Sequence, residues 1–390
     1  MDSAERRLDH VDGLRGLAAL FVVLHHAWLT AWPFEYGRAP RGWWRLTNVL
    51  AYGHFAVGVF IVVSGFCLMR PVVLSGRLPR GFLSRRARRI LPPYYAALAF
   101  SLLLIWTVLG RDTGTHWDLS VPVSASGYVG NALLLEDVLG APQVNHVFWS
   151  IAVECQIYLL FPLLVFVWRR RGRLAALALA TAASAALCAL VDVFPLAGPF
   201  RLAGLTPQYL FLFALGAAAA EVCFGSWRPR IPWAVASGLT ACVLVCACVV
   251  LQPGAADPRL RFLDPLVGIA TAALLVATTR AGRSRARTLL GSRAPATLGT
   301  FAYSVYLIHA PLLQLVWQSL IGPVALPAGI AFAALVLVGV PVAVACAYGF
   351  FCVCERPFVR RRYPSTTSGS SSRIVPSATS ASLSASSSGG

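Results

Sequence analysis

Lysine is absent from this sequence, and charge of either sign is scarce. All 33 basic residues are arginine, and only 12% of the residues are charged, against about 25% in soluble domains. So few charged side chains exclude an ordinary soluble domain. Because 57% of the residues are hydrophobic, the chain is predicted to be an all-α, polytopic membrane protein embedded in a lipid bilayer.

Patterns typical of metal sites and disulfide frameworks are also missing. The ten cysteines lie in or beside apolar stretches, and no Cys-x-x-Cys pair accompanies a suitably spaced pair of histidines. We therefore expect no metal and no disulfide framework. The polar residues before Asp12 predict that no signal peptide is removed. The net charge of +18 lies between apolar stretches, so nucleic acid is not expected as a partner.

About ten stretches are apolar and long enough, at about 20 residues, to cross a bilayer as helices. They are 13–32, 50–69, 92–110, 147–168, 174–194, 204–224, 232–251, 263–279, 299–320 and 324–353.

Arginine is unevenly distributed between the two sides of these stretches. If the spans alternate in direction, 26 arginines lie on the side of the N-terminus and 7 on the other side. Cytoplasmic loops are enriched in arginine, so both termini are predicted to be cytoplasmic in a multi-pass protein of the cell membrane. We predict a membrane domain over residues 1–363 and a disordered, Ser-rich cytoplasmic tail over 364–390.

The first span, DGLRGLAALFVVLHH, carries Arg15, His25 and His26. An ionisable side chain in hydrocarbon costs at least about 2.5 kcal/mol, which makes such residues functional candidates. Arg15 and His26 are about 16 Å apart along the helix axis. Arg15 is then near the cytoplasmic face, where an anchoring role is the alternative. Since His25 and His26 point about 100° apart, at most one of them faces a given site.

Four arginines precede the third span in the loop FLSRRARRILPPYY, in which Pro92 and Pro93 are predicted to start the span. A spacing of three residues places Arg85 with Arg88, and Arg86 with Arg89, on common helix faces. Guanidinium groups bind phosphate bidentately, so this loop suits a cytoplasmic ligand with several phosphates. The alternative is a topological signal that contacts anionic lipid headgroups.

The fourth span, HVFWSIAVECQIYLLFPLL, carries Glu154 at about 10 Å below its outer end, a depth that matches His26. A pair of His26 and Glu154 would orient the imidazole as a general base. A purely structural buried pair is the alternative.

A further stretch, LGTFAYSVYLIHAPLL, carries His309 with Tyr303 and Tyr306 at helical spacing. Together with Trp149, Tyr306 and His309 are candidates for substrate binding, and simple packing is the alternative. Ser64 and Gly65 in VGVFIVVSGF are interpreted as small residues that let helices approach closely.

Six stretches of the sequence resemble the acyltransferase 3 family of integral-membrane acyltransferases. They are DGLRGLAALFVVLHH, VGVFIVVSGF, FLSRRARRILP, FWSIAVECQIYLLFPLL, LGTFAYSVYLIHAPLL and CERPF, spread over residues 12–358. The resemblance implies acyl transfer from acyl-CoA, as donor substrate, to hydroxyl groups of carbohydrates or glycosylated natural products. It also implies that His26 is the catalytic histidine of an arginine–ten–histidine motif that begins at Arg15, and that the arginine loop binds CoA.

One position departs from the family pattern. The family often has two consecutive glutamates where this chain has Glu154 and Cys155, so only Glu154 is expected to act.

The predicted function is O-acyl transfer from acyl-CoA to a macrolide-type natural product or its sugar. Direct attack by a hydroxyl activated by His26 and an acyl-histidine intermediate are both open. O-acetylation of a cell-envelope carbohydrate is the alternative acceptor. A transporter or lipid-linked-glycan flippase is the alternative class, and the absence of an internal repeat and the concentrated arginines argue against it.

Overall fold

Helices are the only regular secondary structure in the residues that the computed structural model describes, which are 8–33, 40–193, 205–252, 258–282 and 284–359. The predicted all-α class is confirmed there. The predicted tail at 364–390 lies outside the described residues.

The α-helices of the described residues are named in chain order. They are α1 (Asp9–Ala31), α2 (His54–Ser75), α3 (Phe82–Leu104), α4 (Ala125–Leu133), α5 (Glu136–Leu139), α6 (Trp149–Arg171), α7 (Arg173–Val193), α8 (Gln208–Phe224), α9 (Trp233–Leu251), α10 (Asp264–Arg280), α11 (Arg285–Leu290), α12 (Arg293–Thr300), α13 (Ala302–Val316), α14 (Ala328–Ala334), α15 (Val340–Phe350) and α16 (Arg356–Val359). Several continue through π turns, so that Ala302–Val324 and Ala328–Phe358 form two long helical segments.

Nine helical segments of the described residues are long and apolar enough to cross a membrane. The tenth predicted span is matched by α8, an apolar helix of 17 residues. Every predicted span therefore corresponds to an apolar helix. Which side each terminus faces stays a prediction.

The third span begins earlier than predicted. Pro92 and Pro93 were expected at its start, but α3 begins at Phe82, after Gly81 with φ of 63°, and both prolines lie inside it. Neighbouring groups can satisfy the backbone that a proline leaves unpaired in a membrane helix. As a consequence, the four arginines lie on the first turns of α3 rather than in a loop.

Helix α1 lies at the centre of the bundle, where α2, α12 and α13 surround it. Close approach to α12 depends on glycine, since a Cβ atom on Gly299 would lie 1.8 Å from the carbonyl oxygen of Asp12. Helix α9 is at the periphery, and most of its large apolar side chains are exposed. Such a surface is typical of contact with lipid.

The segment between α3 and α6 folds back onto α13. Thr115 donates a hydrogen bond of 3.0 Å to the side-chain oxygen of Gln314, and Asn145 donates one of 3.2 Å to the carbonyl oxygen of Leu307. Two short helices, α4 and α5, lie within this segment. These contacts carry His116 and His146 onto the end of the bundle.

Candidate active site

A cavity of about 180 Å³ lies between the helices that carry the predicted motifs. Its polar lining comes from five helices: Arg15 of α1, Ser64 of α2, Arg86 and Arg89 of α3, Ser150, Glu154 and Tyr158 of α6, and Tyr303 and Tyr306 of α13. Apolar side chains of α2, α3, α6 and α13 complete the wall. The cavity therefore brings together five of the six stretches that resemble the family.

Glu154 is held inside the cavity by two hydroxyl groups. Ser64 donates a hydrogen bond of 2.9 Å to Oε1 of Glu154, and the hydroxyl of Tyr158 donates to the same oxygen. Ser64 was assigned a packing role from the sequence. The structure shows that its hydroxyl instead faces the cavity, while Gly65 is the residue that packs against α8.

The arginines of α3 divide into two pairs, as the spacing of three predicted. Arg86 and Arg89 line the cavity together with Arg15, and Arg86 lies over the ring of Tyr158 at 5.9 Å. Arg85 and Arg88 are exposed on another face. The shared face is thus confirmed, and only one pair is directed at the cavity.

Glu355 of the CERPF stretch belongs to the same end of the cavity. It is buried, it accepts a hydrogen bond of 2.5 Å from Ser304, and it interacts electrostatically with Arg89 and Arg15. This carboxylate therefore balances part of the charge of two of the arginines that line the cavity.

Four histidines meet at one end of the bundle, and we call them the histidine group. His26 comes from α1, His116 from a short 3-10 helix, His146 from the residues before α6, and His309 from α13. The ring centroid of His26 lies 5.0 Å from that of His146, 4.9 Å from that of His309 and 6.1 Å from that of His116.

Hydrogen bonds select the basic nitrogen of His26. Nδ1 of His309 lies 3.0 Å and 2.8 Å from the carbonyl oxygens of Val305 and Tyr306, so it must donate, and Nε2 of His309 accepts. That acceptor lies 3.0 Å from Nδ1 of His26, which also donates to the carbonyl oxygen of Val22. The lone pair of His26 is therefore on Nε2.

The expected pair of His26 and Glu154 is not formed among the described residues. The depth estimate assumed that α1 and α6 end at the same level. Instead His146, which precedes α6, contacts His26, and Glu154 lies about two helical turns further along the chain. Two hydroxyl groups separate the sites: Ser150 donates a hydrogen bond of 2.6 Å to Tyr306, whose ring lies 5.9 Å from that of His309.

The other predicted residues have local partners. The ring of His25 lies 4.8 Å from that of His26, but its Nδ1 is bonded to the carbonyl oxygen of Leu50 at 2.6 Å. Trp149 stacks on Tyr209 with ring centroids 6.0 Å apart. Tyr303 donates a hydrogen bond of 3.2 Å to the carbonyl oxygen of Ile90. Of the candidate substrate-binding side chains, Tyr306 lines the cavity and His309 contacts His26.

His116 and His146 are the residues that sequence reasoning missed. His146 is the first residue of the stretch HVFWSIAVECQIYLLFPLL but was given no role, and His116 lies outside the predicted stretches. The proximity of both to His26 depends on how the segment 111–148 folds over the bundle. Burial, together with the nearby His116 and His309, holds the pKa of His146 well below its usual value. His146 is therefore neutral at pH 7.

The chain was compared with known protein families. A family model described as an acyltransferase domain matches residues 8–352. The chain belongs to the acyltransferase 3 family. The family resemblance is thereby confirmed.

Relatives of this acyltransferase include bacterial membrane enzymes. It is 27% identical over 340 residues to the predicted peptidoglycan O-acetyltransferase YrhL of Bacillus subtilis, covering 80% of this chain and 49% of that protein. It is 30% identical over 319 residues to the predicted membrane-bound transacylase BcsY of Komagataeibacter xylinus, covering 78% of this chain and 72% of the relative. The chain spans about half the length of YrhL.

A third relative is acyltransferase MdmB of Streptomyces mycarofaciens. The two are 27% identical over 333 residues, covering 78% of each chain. No solved structure matches the chain. With its apolar helices and these relatives, this acyltransferase is a multi-pass membrane protein.

Proposed function

We propose that this acyltransferase uses acyl-CoA as donor and acylates a hydroxyl group of a macrolide-type natural product or its sugar. The observation that carries the proposal is the arrangement of polar groups along the bundle. Three arginines line the cavity at a distance from the histidine group, and Ser150 and Tyr306 stand between them. The arginines at one end would bind a polyphosphate, and a histidine at the other end would act as a base. This arrangement suits acyl transfer from a long phosphorylated donor.

The donor would contact the arginines first. Arg86 and Arg89 would bind phosphate oxygens of CoA, because guanidinium groups form paired hydrogen bonds with phosphate. The cavity has room for an acyl thioester but not for a whole CoA molecule, so the nucleotide would remain outside it. Arg15 lines the cavity with them and would add a third guanidinium group for the phosphate end of the donor.

His26 would supply the base. Its Nε2 would remove the proton of the acceptor hydroxyl as the hydroxyl oxygen attacks the carbonyl carbon of the thioester. The carbon–sulfur bond then breaks, and the CoA thiolate leaves and takes up the proton. His309 accepts a hydrogen bond from Nδ1–H of His26, which leaves the lone pair of His26 on its Nε2. An acyl-histidine formed at the same nitrogen is the other route.

Glu154 has a different role from the one expected. Its carboxylate accepts hydrogen bonds from Ser64 and Tyr158, so we propose that it positions these cavity-lining hydroxyls rather than the imidazole of His26.

Substitution of His26 tests the proposal. His26→Ala should lower acyl transfer by at least about 100-fold, since a general base contributes about 10²–10⁴-fold. The measurement is mass spectrometry of products formed from acetyl-, propionyl- and longer acyl-CoA. His10→Ala is the matched control, because His10 bonds to Thr279 outside the cavity and the histidine group. An active His26→Ala enzyme would rule out the assignment.

The acceptor has a second candidate. Similarity to a predicted peptidoglycan O-acetyltransferase favours a cell-envelope carbohydrate. Incubation with a macrolide and with an envelope glycan, in parallel, separates the two by the mass of the acylated product. Acylation of the glycan alone would reject the macrolide acceptor.

A further inference from the structure

Three imidazole rings of the histidine group are arranged around a common point. His26, His116 and His146 each offer one ring nitrogen, and these nitrogens lie within 4.8 Å of one another. The corresponding spacing around a tetrahedral zinc ion is about 3.4 Å, from zinc–nitrogen bonds of about 2.0–2.1 Å. Because His116 is only partly buried, rotation about its side-chain bonds is able to close the difference.

Two of the three rings have the hydrogen-bonding pattern of metal ligands. A histidine that binds a metal usually engages its other ring nitrogen in a hydrogen bond, which fixes the ring. Nδ1 of His26 donates to Val22 and His309, and Nδ1 of His146 is hydrogen-bonded to Ser120 at 3.3 Å. In both rings Nε2 is the nitrogen left to coordinate.

Nε2 of His146 is the second, independent sign of a ligand. His146 is only 9% exposed, and its Nε2 is a buried atom that has no hydrogen-bond partner in the described part of the chain. Buried polar atoms nearly always have a partner, so this atom calls for a bound ion or a water molecule. Its neighbours are two further imidazoles, a set of donors that suits borderline transition metals.

We propose that His26, His116 and His146 form a binding site for a divalent transition-metal ion such as Zn²⁺. Three protein ligands leave a fourth position for water, as in open zinc sites. One consequence rests on the proposed function. A metal bound at Nε2 of His26 occupies the lone pair that would remove the acceptor proton, so metal binding and acyl transfer exclude each other.

Direct titration with Zn²⁺ tests the site. The full chain, purified in detergent and freed of metal with a chelator, is titrated calorimetrically beside His116→Ala, His146→Ala and His10→Ala. We expect one Zn²⁺ site in the wild type and in His10→Ala, with affinity lower by at least tenfold in the other two. Ser120→Ala should weaken Zn²⁺ binding by about 10–100-fold, the usual effect of losing a group that orients a ligand. Any Zn²⁺ that the ten free cysteines bind is a background signal common to all variants, because none of the substitutions changes a cysteine.

Two further measurements distinguish loss of the metal site from misfolding and test metal binding separately from the role of His26 as base. Co²⁺ should give visible absorption bands of a tetrahedral ion in the wild type and not in His116→Ala, whose helical content is checked by circular dichroism. Equal Zn²⁺ stoichiometry and affinity in the wild type and in folded His116→Ala would overturn the site. Zn²⁺ should also inhibit acyl transfer by the wild type and not by His116→Ala. Binding at the histidines without inhibition would leave the metal site standing and refute the role of His26 as base.

Discussion

Glu136 is a buried carboxyl group in the segment between α3 and α6. It is 2% exposed, and neither carboxyl oxygen has a partner in the part of the chain that the structure describes. Burial, with a smaller contribution from the neighbouring Asp137, raises its pKa from the usual 4.5 to about 8. The folded protein therefore holds this proton more tightly than the unfolded chain does between those pH values.

Glu136→Gln should remove a pH dependence of stability. Because the folded pKa is the higher one, the wild type loses stability as pH rises from about 4.5 to about 8, by at most about 1.4 kcal/mol per pH unit. The variant should be more stable than the wild type at pH 8, and the two should converge near pH 4.5. Thermal unfolding in detergent at several pH values measures this difference.

Asp118→Asn is the matched control for Glu136→Gln. The carboxylate of Asp118 accepts hydrogen bonds of 3.0 Å and 2.9 Å from the backbone N–H groups of Thr113 and Gly114. Removing its charge should lower stability at pH 8. Identical pH profiles for the wild type and Glu136→Gln would contradict the explanation.

For single residues, the sequence was sufficient to identify candidate site residues such as Arg15 and His26, but it did not predict which residues they contact. The number of residues between Arg15 and His26 predicted their distance along α1, because an α-helix has a fixed rise per residue. The partner of His26 is His309, 283 residues away in the chain, and no local pattern encodes such a contact. The same reason explains why Ser64 was interpreted as a packing residue.

Among the helices, α2 and α8 approach each other through glycine. A Cβ atom on Gly216 would lie 1.9 Å from the carbonyl oxygen of Val62, and one on Gly65 would lie 2.1 Å from that of Phe213. Both obstacles are backbone atoms, which cannot rotate away. Small residues at such positions let membrane helices pack closely.

Gly216→Ala should therefore destabilise the protein. Separation of α2 from α8 is expected to cost about 1–3 kcal/mol, the usual range for overpacking, and to displace Ser64 from Glu154. The midpoint of thermal unfolding should fall. Gly238→Ala on α9 is the control, because a Cβ atom there meets nothing within 4 Å; its alanine should be neutral or slightly stabilising. Equal losses in both variants would argue against the packing explanation.

Helix boundaries were less predictable than helix identity. Hydropathy located every apolar segment, because a bilayer demands about 20 apolar residues. Hydropathy did not locate the start of α3 at Phe82, because Pro92 and Pro93 were interpreted as the first residues of the span and the four arginines as part of a loop. A helix that continues through both features orients Arg86 and Arg89 in one direction.

For the whole molecule, the cavity divides the four arginines of α3 into functional and peripheral pairs. Replacement of Arg86 and Arg89 by alanine should abolish stabilisation by CoA and raise the KM for acyl-CoA at least tenfold. Replacement of Arg85 and Arg88, which are exposed on another face, removes the same charge and should have a small effect. Thermal unfolding with and without CoA and initial rates measure both. Equal effects of the two double substitutions would indicate general electrostatic attraction instead of a site.

The overall architecture was predictable and the convergence of distant segments was not. Composition and arginine distribution led to a helical membrane protein because the bilayer constrains every span alike. The meeting of His26, His116 and His146 depends on one hydrogen-bonded segment between α3 and α6, whose path follows from tertiary contacts with α13.

Helix α1 carries Arg15 at the cavity and His26 in the histidine group, with no loop between them. One inserted residue would turn everything beyond it by about 100° and advance it by 1.5 Å. His26 would then leave His309, and His25 would take its place. The number of residues between Arg15 and His26 therefore sets the distance from the cavity to the histidine group, and an insertion or deletion in this stretch should abolish activity even where every side chain is kept.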